Sequence, residues 1–343
     1  MRLMFGWKHG RPGSGGDSGR LSDKEYQEML GDLRAIRDAV SPPLPSLQRT
    51  GGNSPITASE SATEESPSLE ANVPLRRSGN ERIRALVDLP QQGTLDDSHM
   101  RPAAAQYRRT RPFLTAEQCQ KWGIFYLPPG ARSTLRGRWT YTVRSVKGDE
   151  LCFVGRDPEY EQKRQEWTRL GRPDGDWAFR RSRYRGAPAK VRFPKEEQFR
   201  KRLELYGQQL SRLQEPWATV SLARYGLLLL EGFNDVVRLD DAEVLAVGLM
   251  GRTLSDPQLH NVIRWSAELA GGKVTVWGDN DSEGLSGMQE VVSKLAAHTP
   301  VLQAWSKASH GGRFAGKEPE QLTHEELRCV LDSVEERWQR VTG

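Results

Sequence analysis

The sequence predicts an α/β protein: a parallel sheet flanked by helices over residues 216–343, a smaller basic α+β segment over 111–215, and a largely disordered tail over 1–110. Three observations carry this. Beyond Pro216, short apolar runs alternate with amphipathic stretches of helical length, the pattern of a sheet covered on both faces. Between Trp139 and Val154, two apolar runs flank Lys147-Gly148-Asp149, which reads as a hairpin. Ahead of Phe113 the chain is rich in Ser, Pro, Gly, Glu and Arg without sustained periodicity, the composition of a linker.

The elements follow in order. Within the tail, Tyr26, Met29, Leu30, Leu33, Ile36 and Val40 recur at helical spacing, so an amphipathic helix is expected at about 21–40. Its apolar stripe needs a partner surface, either another protein or the body of this one. Thr115-Ala116-Glu117-Gln118 opens a helix leading to Trp122, and Pro128-Pro129-Gly130 is a turn. Strands are expected at Trp139 to Val146 and Glu150 to Val154. Residues 157–189 read as an Arg-rich insertion, and Phe199 to Leu213 as a helix. Then come strands at Tyr225–Leu230, Val244–Leu249, Lys273–Trp277 and Val301–Trp305. Helices are expected at Asp235–Ala242, Asp256–Leu269 behind Ser255, Glu283–Ala297, and Thr323–Arg340 with Glu326 closing a capping box.

Charge is unevenly spread. Residues 101–215 hold 26 Lys and Arg against 13 Asp and Glu, while the rest of the chain has eight more acidic than basic residues. A basic stretch of this size fits a polyanion partner. No run approaches the roughly 18 apolar residues of a membrane span. The basic N-terminus lacks the apolar core of a signal peptide. Cys119, Cys152 and Cys329 are too few and too scattered for a disulfide framework or a zinc site, so a reducing, cytoplasmic setting without zinc is expected.

In parallel sheets, functional groups gather at the C-terminal ends of the strands. There the sequence puts Glu231-Gly232, then Asp279-Asn280-Asp281, then Glu318-Pro319-Glu320. Carboxylates brought together repel unless a cation sits among them. Oxygen donors of this kind suit Mg²⁺ or Mn²⁺, and the chemistry expected of them is phosphoryl or nucleotidyl transfer.

The run Glu231-Gly232-Phe233-Asn234-Asp235-Val236-Val237 is followed by Val247-Gly248-Leu249-Met250-Gly251 with Leu254 and Gln258. Together with Asp279-x-Asp281-x-x-Gly284, it resembles a Toprim domain. In detail it is most similar to the catalytic core of bacterial DnaG-type DNA primases. Gly316-Lys317-Glu318-Pro319-Glu320-x-Leu322 resembles that family's later acidic motif, with glutamates where aspartates are usual. Upstream, Trp122-Gly123-Ile124-x-Tyr126-x-Pro128-Pro129-Gly130 resembles the start of the primase polymerase core. Tyr141-Thr142-Val143-Arg144 and Phe153-Val154-Gly155-Arg156 are similar to its paired strands. Lys190, Pro194, Phe199, Lys201 and Leu205-Tyr206-Gly207 resemble the family's basic segment. The likeness covers roughly 113–340.

This resemblance implies synthesis of short RNA primers from ribonucleoside triphosphates on a single-stranded DNA template. Glu231, Asp279 and Asp281 would carry the metals, and Glu318 and Glu320 would assist. Arg144, Arg156, Lys190 and Lys201 would contact template or nucleotide. The aromatics Trp139, Trp167, Trp177 and Tyr184 could stack on unpaired bases, although Trp139 suits the core better. The family's N-terminal zinc-binding module and C-terminal helicase-binding domain have no counterpart, and Asn280 stands where a glycine is common. Two other functions fit the same residues: a metal-dependent Toprim nuclease, and a catalytically weak single-stranded DNA-binding scaffold. A topoisomerase is disfavoured, since the chain has no room for strand-passage domains.

Overall fold

The computed structural model describes residues 89–172, 183–187 and 200–342. The expected helix at 21–40, the linker up to residue 88, and Trp177, Lys190 and Phe199 lie outside the described residues. No helix among the described residues is long and apolar enough to cross a membrane.

An antiparallel sheet comes first, in the order β1 (Ile124–Leu127), β2 (Arg138–Arg144), β3 (Glu150–Arg156), β4 (Tyr184–Ala187). The Lys147-Gly148-Asp149 hairpin closes as expected, with Gly148 at φ +96° and the Ser145 N–H donating to the Asp149 carbonyl at 2.8 Å. Helix α1 (Pro102–Arg109) and helix α2 (Ala116–Trp122) pack against this sheet through Ala104, Tyr107, Cys119 and Trp122. Thr115 caps α2 by accepting the Gln118 N–H at 3.1 Å. Gly123 ends α2 at φ +63°, where a Cβ would also meet the Thr142 hydroxyl at 2.6 Å. Helix α3 (Tyr160–Arg169) follows β3.

The second sheet is parallel, in the order β6 (Ala246–Gly248), β5 (Leu227–Leu230), β7 (Val274–Trp277), β8 (Val301–Gln303). Five helices accompany it: α4 (Ala218–Tyr225), α5 (Phe233–Asp241), α6 (Asp256–Leu269), α7 (Ser282–Ala296) and α8 (His324–Thr342). The four leucines of β5 are all buried, as a strand covered on both faces requires. Capping boxes open α6 at Ser255/Gln258 and α8 at Thr323/Glu326, both where the sequence puts them.

One apolar core runs through both sheets. Two polar clusters also join the halves. Asn234 Nδ2 donates to Tyr107 Oη at 2.6 Å, Tyr107 and Tyr141 share a 2.9 Å bond, and Tyr141 Oη donates to Asn234 Oδ1 at 2.6 Å. With Tyr107 donating to Tyr141, every member of this closed ring is satisfied. Deeper in, the fully buried Asp240 accepts from Arg212 at 3.1 Å and from Trp122 Nε1 at 3.1 Å, and pairs with Lys121 at 2.9 Å.

The structure corrects several expectations. The linker composition does not run to residue 110: from Leu89 the chain is built into the core, and α1 lies within it. That helix is Ala- and Arg-rich and buries only Ala104, Ala105 and Tyr107, too little to show a period. Residues 200–214 are not a helix but two 3-10 turns, Lys201–Leu203 and Leu210–Gln214, around an extended Tyr206. Tyr206 pairs antiparallel with Gly248, and Gly207 turns the chain away at φ +79°. The Arg-rich insertion holds α3 and β4. Trp139, by contrast, is fully buried and donates to the Ala104 carbonyl, in the core where the strand pattern puts it.

Candidate active site

The turn from β5 into α5 carries Glu231, and the turn from β7 into α7 carries Asp279 and Asp281. Because β5 and β7 are paired neighbours, with Leu230 opposite Trp277, these turns emerge side by side. Glu318 and Glu320 follow β8 at a distance, and Asn280 ties them in. Its N–H donates to the Lys317 carbonyl at 2.9 Å, its carbonyl accepts the Gly316 N–H at 2.8 Å, and its side chain donates to the Phe314 carbonyl at 2.9 Å. Asn280 is 1% exposed. Asn280 thus stitches the acidic loop to the turn after β7, with two main-chain bonds and one from its side chain.

Local geometry fixes the individual carboxylates. Asp281 caps α7 by accepting the Gly284 N–H at 2.6 Å. Gly284 has to be glycine, because a Cβ there would lie 2.7 Å from Asp279 Cβ. A further carboxylate joins them. Asp235, in the first turn of α5, accepts the Gly232 N–H at 3.0 Å with one oxygen and the Glu320 N–H at 3.0 Å with the other. Sequence reasoning missed Asp235 as a site residue, since an acid three positions after a helix-opening glycine reads as an ordinary cap.

The carboxylates act on one another. Burial, then the charges of Glu318, Glu231, Asp281 and Glu320, push Asp279 from the ordinary 3.8 up to about 8. Burial, then Asp279, Glu320 and Glu318, hold Asp235 well above the usual carboxylate range. Burial raises Glu318, helped by Glu320 and opposed by Arg183, Arg156 and Arg111. Burial also raises Glu231, against the pull of Arg252. Such a set favours protons or cations.

Arginines face these acids. Arg111 pairs with Glu320 and lies over the Tyr107 ring at 3.9 Å. Arg156, 8% exposed, donates to Tyr184 Oη at 2.6 Å and stands near Glu320. Arg183 lowers both Glu231 and Glu318. In each of the three, a buried Nε–H has no partner. Arg252 binds Glu231 at 3.2 Å and also Glu283. No residue signal singles out Arg111, Arg183 or Arg252: the first sits at the edge of a supposed linker, the second is one of many arginines in the insertion, and the third lies in a glycine-flanked loop.

Glu231, Asp279, Asp281, Glu318 and Glu320 are thus brought within electrostatic reach of one another, with Arg156 beside them. Lys201 is on the same side of the parallel sheet but donates to the Met250 carbonyl at 2.8 Å, below the loop that carries Arg252. Arg144 is not part of the site. It lies at the far end of the β2–β3 hairpin from Arg156 and donates to the Lys121 carbonyl.

The donor set fits a hard divalent ion, being all oxygen and short of positive charge. Among the described residues, however, no three Asp, Glu, His or Cys side chains already surround a common point. Glu231 and Glu320 are turned to arginines, and Asp235 gives both oxygens to backbone N–H groups. A bound ion would draw these side chains from their present partners.

No family model and no curated protein matches the sequence. The fold is similar to solved primase cores. The zinc-binding and RNA polymerase domains of the Aquifex aeolicus primase align with 75% of this chain at 18% identity and a TM-score of 0.49, and the chain spans 62% of that structure. A DnaG primase catalytic domain bound to single-stranded DNA aligns with 76% of this chain and 78% of its own, at 17% identity and a TM-score of 0.48. The RNA polymerase domain of Mycobacterium tuberculosis primase DnaG aligns over 73% and 80%, at 17% identity and a TM-score of 0.49.

Proposed function

We propose that this protein is a primase-like nucleotidyltransferase that joins ribonucleotides into short primers on single-stranded DNA. Mg²⁺ or Mn²⁺ would be held by Glu231, Asp279 and Asp281, with Asp235, Glu318 and Glu320 in support. The observation that carries this reading is a single site in which repelling carboxylates, Asp279 foremost, lie within electrostatic reach of Arg111, Arg156 and Arg183. Acids that hold protons for want of cations suit divalent ions. Guanidinium groups gathered beside them suit the oxygens of a phosphate chain. Both are needed to transfer a nucleotidyl group, whereas a purely structural ion-pair cluster would not leave an acid raised as far as Asp279.

Bound divalent ions would orient a 3′ hydroxyl and offset the charge on an α-phosphate. The chain's own groups would do the rest. Arg111, Arg156 and Arg183 would hold and neutralise the triphosphate, and the ring of Asn234, Tyr107 and Tyr141 would keep the arginines in register with the acids. On the far face of the antiparallel sheet, a cleft of about 250 Å³ is lined by Arg101, Arg136, Arg138 and Lys163, with Asp157 and Glu159. Its surplus of positive charge and polar walls suit the backbone of a template strand.

The test is a priming assay on single-stranded DNA with labelled ribonucleotides and Mg²⁺ or Mn²⁺. Short RNA products are expected from the native protein and none from Asp279→Asn or Asp281→Asn, with both variants folded by circular dichroism. Strand cleavage with metal alone would make the protein a nuclease. Salt-sensitive DNA binding that survives both substitutions, without any product, would make it a DNA-holding protein.

A further inference from the structure

The loop between β6 and α6 is built to deliver one side chain. Met250 takes a left-handed backbone at φ +56°, which a non-glycine residue keeps only where its surroundings hold it. They do. Lys201 Nζ donates to the Met250 carbonyl at 2.8 Å, and the Gly251 N–H donates to the Glu231 carbonyl at 3.1 Å. Helix α7 closes on the next residue because Gly287 has no side chain; a Cβ there would stand 3.2 Å from Arg252 Cβ. The residue so held is Arg252. Its Nε–H donates to Glu231 Oε1 at 3.2 Å, and its Nη1 pairs with Glu283 in the first turn of α7.

We propose that Arg252 is a built-in counter-cation for Glu231, one that a divalent ion must displace as it loads, and that Glu283 keeps hold of the guanidinium afterwards. The proposal rests on the metal reading given above. Three features suit an exchange of this kind. Arg252 occupies a Glu231 oxygen, so ion and guanidinium compete for one ligand. The Arg252 side chain is 41% exposed and Glu283 60% exposed, so the guanidinium can swing off Glu231 without entering or leaving the core. With two carboxylates available, losing one leaves no charge unpaired. Arg252 therefore acts as a positioning residue: it holds Glu231 ready while the site is empty of cations and sets the ion concentration at which the site fills.

Calorimetric titration of Mn²⁺ into the metal-free, nucleotide-free full-length protein tests this directly. Arg252→Gln is expected to bind Mn²⁺ about two- to fivefold more tightly than the native chain, the range set by one half-exposed ion pair that no longer has to be broken. Arg252→Lys, which keeps the charge, is expected to stay near the native affinity, and Asp279→Asn to lose binding. A merely structural role for Arg252 would leave affinity unchanged or weaken it. If Arg252→Gln binds no more tightly than the native chain while Asp279→Asn still abolishes binding, Arg252 is no competitor and the metal site stands. The same holds if the lysine variant gains as much as the glutamine. If the native chain takes up no Mn²⁺, the metal reading fails and this proposal with it.

Discussion

Asp279 gives the metal-free protein a pH dependence of definite sign. Its carboxyl is raised from 3.8 to about 8, so between these values the folded chain holds a proton that the unfolded chain has released. Stability is therefore highest at the acid end of this window and falls as pH rises through it. Thermal melts of the metal-free protein should show the midpoint decreasing from about pH 5 towards pH 8, and added Mn²⁺ should offset the loss at the alkaline end. Asp279→Asn should make the profile shallower and stabilise the metal-free protein at pH 8, because it removes the acid that is raised furthest into this window. A flat native profile would show that the acids do not repel as described. Of the residues in this site, those at strand ends were legible from sequence, because position in an alternating pattern marks them. Asp235 was hidden by its capping role, and Arg111, Arg183 and Arg252 by their setting: an arginine's partner across the fold leaves no trace in its neighbours.

The turns between elements carry the site, and the turn from β7 into α7 tolerates least. Gly284 admits the Asp279 main chain so closely that Gly284→Ala must push the two apart. The expected cost is about 1–3 kcal/mol from overpacking, together with loss of priming activity, because Asp279 and Asp281 would part. Urea denaturation and the priming assay would read both, and an active variant of native stability would contradict the geometry. Helices behind strong caps were legible almost residue by residue, as Ser255 and Thr323 show. Strands β1 and β4 were not. The four residues of β1 are all buried, so no alternation marks them, and β4 lies within the Arg-rich stretch. The segment around Tyr206 reads as a helix because Phe199, Leu203, Tyr206, Leu210 and Leu213 recur at helical spacing, yet Tyr206 is extended where it pairs with Gly248.

At the scale of the whole molecule, the two sheets form one folding unit. Asp240 lies in the parallel half, and its partners Lys121, Trp122 and Arg212 all precede residue 216. Asp240→Ala would leave Arg212 buried without its counter-ion, and a loss of about 3–5 kcal/mol is expected. It should appear as a lower urea midpoint in a single transition seen alike by tryptophan fluorescence and circular dichroism. Two separate transitions would show that the halves fold independently. The sequence pointed to a basic segment followed by an acidic one. It could not disclose that an aspartate and an arginine 28 positions apart lock them together, since that contact exists only after both halves have folded.

The pairing of Tyr206 with Gly248 has a consequence for how this protein behaves in company. Main-chain bonds of 2.8 and 2.9 Å close the β6 margin of the parallel sheet, and at the opposite margin Arg337 caps the carbonyls of Gln303 and Ala304. Both margins of the parallel sheet are thus partly covered, which leaves a neighbouring molecule a shorter ladder to pair with at either side of it.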